Sequence, residues 1–135
     1  MTDTLITRRA SCFCGQLTLV AAGEPVRVSV CHCLDCQKRS GSAFAVQARY
    51  ERSQVHVAGE SKAFVRLADS GNAAAFNFCP NCGGTVFYIA DAVPGFVTIP
   101  IGAFADPAFP PPRVSVYEKR MHPWVQLSGD LERIQ

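Results

Sequence analysis

Phe78-Cys79-Pro80-Asn81-Cys82-Gly83-Gly84 decides how this chain folds. Two cysteines bracket a tight turn, and the glycines after the second let backbone amides approach the sulfurs, which is the pattern of a zinc knuckle. A knuckle supplies two ligands, so a tetrahedral site needs two more. Cys12-Phe13-Cys14-Gly15 is the natural source, because residues i and i+2 of an extended segment point to the same side. Cys12, Cys14, Cys79 and Cys82 would then form a closed, structural zinc site that ties the start of the chain to its second half. Cys79 stands 65 positions after Cys14. Structural zinc sites bind with roughly 10–16 kcal/mol of apparent free energy near neutral pH, and that binding energy is folding energy. The competing reading is four buried or disulfide-prone thiols.

Moving outward, the other three of the seven cysteines lie in Cys31-His32-Cys33-Leu34-Asp35-Cys36. Cys31 and Cys33 are again i and i+2, and Cys36 returns to them from the first turn of a short helix. His32 lies between them and is expected on the opposite face, held by hydrogen bonds rather than by metal. Three thiolates leave the fourth tetrahedral position to water or an incoming ligand, the arrangement of a catalytic zinc. Such a site carries a net charge of about −1, which makes it a poor Lewis acid and a good partner for a soft ligand such as a substrate thiol. Coordination would hold that thiol as a thiolate, ready to add to an electrophilic carbonyl or to leave in the reverse direction. Two further readings of the triplet are a redox dithiol, from the Cys33-x-x-Cys36 spacing, and inert buried thiols. The chain lacks the alternating βαβ pattern that accompanies redox Cys-x-x-Cys motifs.

With 135 residues, 48% of them hydrophobic and 18% charged, the chain has the length and composition of one ordered globular domain. We read residues 1–135 as a single zinc domain with its motifs between 12 and 124. The formal charge of +2 gives no case for a polyanionic partner. If all seven thiols bound two Zn²⁺ as thiolates, it would fall to about −1. Clustered basic residues with interleaved aromatics are absent, so nucleic acid is not expected. The segment Met1 to Arg9 lacks the apolar stretch of a signal peptide, and no apolar run reaches the ~18 residues of a membrane span. Free thiols in this number fit a reducing compartment, so a cytoplasmic protein is expected.

Between the cysteines run short alternating segments punctuated by Gly, Pro and polar turns. Strands are predicted at Leu17–Ala21, Val26–Val30, Phe44–Ala48, Val55–Val57, Phe64–Leu67, Thr85–Ile89, Phe96–Ile101 and Val114–Tyr117. Their spacing suggests antiparallel sheets. One short helix is predicted over Leu34–Arg39, stopped at Ser40 with Gly41 as a left-handed cap. Asp106-Pro-Ala-Phe-Pro-Pro-Pro112 carries too many prolines for a helix or central strand and reads as an extended surface connection.

Taken in order, Cys12-Phe-Cys14-Gly15, Cys31-His-Cys33-Leu-Asp-Cys36-Gln-Lys-Arg-Ser-Gly41, Phe78-Cys-Pro-Asn-Cys-Gly83 and a late Trp124 resemble the glutathione-dependent formaldehyde-activating (GFA) family. The resemblance implies a mainly β, single-domain β-tent of antiparallel sheets organised around a structural zinc, with one short helix. It implies a structural zinc on Cys12, Cys14, Cys79 and Cys82 and a catalytic zinc on Cys31, Cys33 and Cys36. It also implies a carbon-sulfur lyase activity that joins glutathione to formaldehyde as S-hydroxymethylglutathione. The alternative is a zinc scaffold or protein-interaction module without catalysis.

A glutathione pocket should offer cations for two carboxylates, preferably arginine forks. Lys38 and Arg39, just after Cys36, are the first candidates, and Arg49, Arg52, Lys119 and Arg120 are further ones. Any of them could equally be solvated surface charge. Trp124 could wall the pocket, but closing the core is the favoured role. Phe44, Phe87 and Tyr88 read as core from strand alternation, and His56 and His122 have no motif behind them.

Overall fold

Alternation of side chains across short strands builds two sheets. In the computed structural model, which describes residues 6–67 and 71–135, there are eleven strands and one α-helix among the described residues. Residues 1–5, part of the segment read above for a missing signal peptide, lie outside them.

The smaller sheet is antiparallel, in the order β1 (Thr7–Ser11), β2 (Thr18–Ala22), β5 (Val55–Ala58). The larger contains β3 (Arg27–Cys31), β4 (Ala45–Glu51), β6 (Lys62–Leu67), β7 (Ala73–Phe78), β8 (Thr85–Ala90), β9 (Phe96–Pro100), β10 (Val114–Val116) and β11 (Glu132–Arg133). Its order is β11-β10-β3-β4-β9-β8-β7-β6. The helix α1 (Leu34–Ser40) interrupts the hairpin between β3 and β4.

The two faces of the large sheet separate core from site. Val28 of β3, Ala48 and Tyr50 of β4, Phe87 of β8, and Val97 and Ile99 of β9 are buried in one cluster with Leu19 and Ala21 of β2 and Leu17 just before it. Full burial of side chains of this size contributes about 1.5–3 kcal/mol each, and this cluster holds the sheets together. The intervening residues Arg27, Ser29, Cys31, Gln47, Arg49, Thr98 and Tyr88 are on the other face, as period-two alternation requires. That face carries the three-cysteine motif.

The mainly β, two-sheet architecture with one helix is what the sequence led us to expect, with three corrections. First, the large sheet is not antiparallel throughout, because β10 runs parallel to both β3 and β11. The long connection from β9 to β10 carries the chain back so that β10 enters beside β3 in the same direction. Second, the proline-rich connection is not confined to the surface. Asp106 folds it into a turn, its carboxylate accepting the Ala108 amide at 2.9 Å, and Phe109 drops into the core against Phe104, ring centroids 4.6 Å apart. Third, strands β1, β7 and β11 have no counterpart among the predicted segments. Alanine-rich β7 is a poor strand former by propensity and is held by pairing on both sides, with β6 and β8.

Candidate functional site

Cys12 and Cys14 occupy the turn from β1 to β2, and Cys79 and Cys82 the turn from β7 to β8, so one site joins the two sheets. The turns are built alike. Gly15 donates to the Cys12 carbonyl at 3.2 Å, and Gly83 donates to the Cys79 carbonyl at 2.8 Å. Both glycines have positive φ, 86° and 80°, which glycine adopts without the cost a side chain would bring. Backbone amides then point at sulfur: Leu17 at Cys12 (3.3 Å), Cys14 at Cys82 (3.4 Å) and Asn81 at Cys79 (3.3 Å).

The four sulfurs lie within 4.8 Å of one another. Cys14 Sγ is 3.7 Å from both Cys12 Sγ and Cys79 Sγ. Sulfurs held tetrahedrally at ~2.3 Å from zinc sit about 3.8 Å apart, so this donor set fits the ion. Burial pushes the Cys79 thiol up, but the Gln16 side-chain amide, donating at 3.0 Å, and the Cys82 and Asn81 amides outweigh it and bring Cys79 to about 6. Cys82 is also lowered, chiefly by the Cys14 amide. Thiolate is the form a metal takes up.

The second cluster forms where β3 runs into α1. Cys31 ends the strand, Cys33 is the N-cap and Cys36 is in the first turn. Their sulfurs too lie within 4.8 Å of one another. The Cys36 amide donates to Cys33 Sγ at 3.3 Å, so one residue both caps the helix and completes the triplet. At the other end Gly41 takes φ 67° and donates to the Gln37 carbonyl, the left-handed cap expected for it. Hydrogen bonding with Cys36 lowers the Cys31 thiol, and the same interaction, with burial, raises Cys36. A cation bound here would take the sulfurs as thiolates and release their protons.

His32 is fully buried on the opposite side, its Nε2 2.9 Å from Ser115 Oγ and its ring against Phe44 at 5.9 Å. It belongs to neither cysteine cluster.

A cavity of about 410 Å³ opens on Cys36 and is lined by Lys38, Arg39, Arg66, Phe64 and Phe76 among others. Arg39 lies over the rings of Phe76 (5.3 Å) and Tyr88 (5.4 Å), and Arg66 is paired with Asp35. Lys38 also lines a second cavity, of about 670 Å³, on the far side of the helix with Phe44, His122 and Trp124. Trp124 is 70% exposed there, which overturns the core role favoured for it. The residues before it turn outward because Gln37 captures them, donating to the Arg120 carbonyl at 3.1 Å and meeting His122 Nε2 at 2.9 Å.

Phe87 is in the core as expected, whereas Phe44 is half-buried beside His32. Tyr88 is on the site face instead of in the core. Burial raises its phenol pKa, and its field includes Arg39, Cys36, Cys31 and Arg49. Strand alternation alone could have placed it, since Phe87 next to it is the core residue. Arg52 is not brought to the cysteines and lines a separate cavity with Val55 and Phe87.

Comparison with solved structures finds a Rhodobacter sphaeroides protein, determined by crystallography as a structural-genomics target. The two share 18% sequence identity and a TM-score of 0.56 over 76% of this chain and 91% of that one, a likeness of fold. No curated protein matches the chain. A sequence model described as "Glutathione-dependent formaldehyde-activating enzyme" matches residues 7–120, taking in all seven cysteines and stopping short of Trp124. The chain therefore belongs to the glutathione-dependent formaldehyde-activating (GFA) family.

Proposed function

We propose that the chain is a zinc-dependent carbon-sulfur lyase of the S-hydroxymethylglutathione synthase type. It would add a glutathione-like thiol to a small aldehyde such as formaldehyde, or catalyse the reverse. One observation carries the reading: three sulfurs converge within 4.8 Å, and one of them, that of Cys36, belongs to a residue lining a 410 Å³ cavity that Lys38 and Arg39 also line. A purely structural site would be closed by a fourth ligand.

In this reading Cys12, Cys14, Cys79 and Cys82 hold a structural zinc and Cys31, Cys33 and Cys36 a catalytic one, two ions per chain. When bound, the catalytic ion supplies soft Lewis acidity that keeps an incoming thiol in its thiolate form. The chain's own groups do the rest. Lys38 and Arg39 present positive charge to a substrate carboxylate, with Arg39 pre-positioned by the two aromatic rings beneath it. Phe64 and Phe76 give the cavity an apolar wall that limits water around the reacting carbonyl. In the forward direction a carbon-sulfur bond forms, the carbonyl π bond breaks, and the proton lost by the thiol is balanced by one gained at the alkoxide oxygen. The free thiols this requires fit a reducing compartment, the cytoplasm.

Mixing zinc-loaded protein with glutathione and isotopically labelled formaldehyde, and following exchange of the hydroxymethyl adduct by NMR, tests the reading. Exchange well above the uncatalysed rate is expected and should vanish in Cys31→Ser; a rate equal to background would remove this substrate pair.

A further inference from the structure

Beyond the cysteine cavity, the same face of the large sheet carries a row of residues in register. Arg27 of β3 is opposite Arg49 of β4, Arg49 is opposite Thr98 of β9, and Thr98 is opposite Tyr88 of β8. Two arginines directly across neighbouring strands repel one another. Among the described residues, no carboxylate forms an ion pair with either of them. Arg49 lies against the Phe96 ring, 5.8 Å from its guanidinium carbon, and burial and Arg27 pull its pKa below the ordinary arginine value. The Arg27 Nε is buried without a hydrogen-bond partner.

Arg49, Thr98 and Tyr88 line a cavity of about 230 Å³ with Ser29 and Gln47, and the turn after β8, through Ala92 and Val93, forms one wall. Gln47 is 9% exposed. Its Nε2 donates to Ser29 Oγ at 3.2 Å, and its Oε1 is buried with no hydrogen-bond partner among the described residues. A buried acceptor left unpaired keeps the desolvation penalty of that group, and two adjacent arginines with no carboxylate between them repel one another. This recess therefore has an unmet need for a negative charge and for an N–H donor.

The recess is also within reach of the reacting sulfur. Arg27, Ser29 and Cys31 follow one another along one face of β3, so Cys31 is four residues, about 13 Å of strand, from Arg27. Arginine side chains cover part of that span. A γ-glutamyl thiol measures on the order of 10 Å from its sulfur to its α-carboxylate, close to the reach of three extended residues.

We propose that the recess between β3, β4, β8 and β9 is a subsite for the α-amino-acid end of the thiol substrate. Arg49 takes its carboxylate, Arg27 opposite it on β3 adds positive charge beside the recess, and Gln47 Oε1 accepts from its ammonium group. The proposal rests on the thiol-substrate reading given above and adds which end of the thiol is recognised and by what.

The test uses two thioethers, which have no free sulfur to react: S-methylglutathione, and S-methylcysteinylglycine, which lacks the γ-glutamyl end. Both are titrated into zinc-loaded wild type, Arg49→Gln and Arg27→Gln by calorimetry, with thermal unfolding as a check on the fold. Wild type should bind S-methylglutathione at least tenfold more tightly than the truncated compound, and each variant should lose most of that advantage without weakening further toward the truncated compound. If Arg49→Gln does not fold, Arg27→Gln and Gln47→Leu decide. Equal binding of the two thioethers by wild type, binding of neither, or full discrimination in both arginine variants would overturn the subsite. Discrimination lost in the variants with no formaldehyde exchange in wild type would remove the reaction and keep the subsite. Normal exchange with discrimination unaffected by the variants would do the reverse.

Discussion

Gln16 shows how a residue outside any motif can act on a cysteine cluster. Its amide nitrogen donates to Cys79 Sγ at 3.0 Å and to the Glu60 carbonyl at 2.7 Å, while its oxygen accepts the Glu60 amide at 3.0 Å. One side chain thus steadies a sulfur and fixes the loop before β6. That loop approaches so closely that a Cβ on Gly59, at φ 98°, would lie 2.1 Å from the Gln16 carbonyl oxygen. Groups that orient ligands from behind typically alter metal affinity 10–100-fold. Gln16→Leu is therefore expected to lower the affinity of the four-cysteine site by about that factor, read by competition with a chromophoric chelator, and to leave the three-cysteine site unchanged. Equal affinity in the variant would show that the amide does not act on Cys79. The seven cysteines were legible in the sequence because their spacing is local. Gln16 was not, because its contact with Cys79 spans 63 positions and depends on how two turns meet.

At the level of elements, the helix shows local chemistry deciding structure. Cys33 caps it and Gly41 ends it; the Gly41 stop was readable from the sequence, whereas cysteine is not among the usual N-cap residues. Its far side was not readable, because Gln37 binds the Arg120 carbonyl and His122, and only the folded chain brings these together. Strands with branched or aromatic residues were equally legible, whereas alanine-rich β7 depends on its neighbours for its conformation. The proline-rich connection is the clearest case of tertiary packing overriding local character. Its prolines keep it out of the sheets, yet Phe109 stacks on Phe104 and lies beneath the Arg8 guanidinium at 5.1 Å. Truncating a buried phenylalanine typically costs about 3–5 kcal/mol. Phe109→Ala should lose stability of that order in urea unfolding, where a surface loop residue would shift the free energy by less than about 0.5 kcal/mol.

Across the whole molecule, the two cysteine clusters are placed by the two faces of the large sheet. One face packs on the small sheet, and the four-cysteine cluster joins the two sheets at their turns. The other face carries Cys31 at the end of β3 and, further along the sheet, Arg49, Thr98 and Tyr88 in register at the arginine recess. The central claim is that the first cluster holds the fold and the second, open on one side, does chemistry. Native mass spectrometry of the zinc-loaded protein, with circular dichroism alongside, tests it most directly on wild type and Cys31→Ser. Two zinc ions are predicted in the wild type, and one in Cys31→Ser with the β-sheet spectrum intact. A single ion in both proteins, or a Cys31→Ser variant that loses both ions and its fold, would contradict that division.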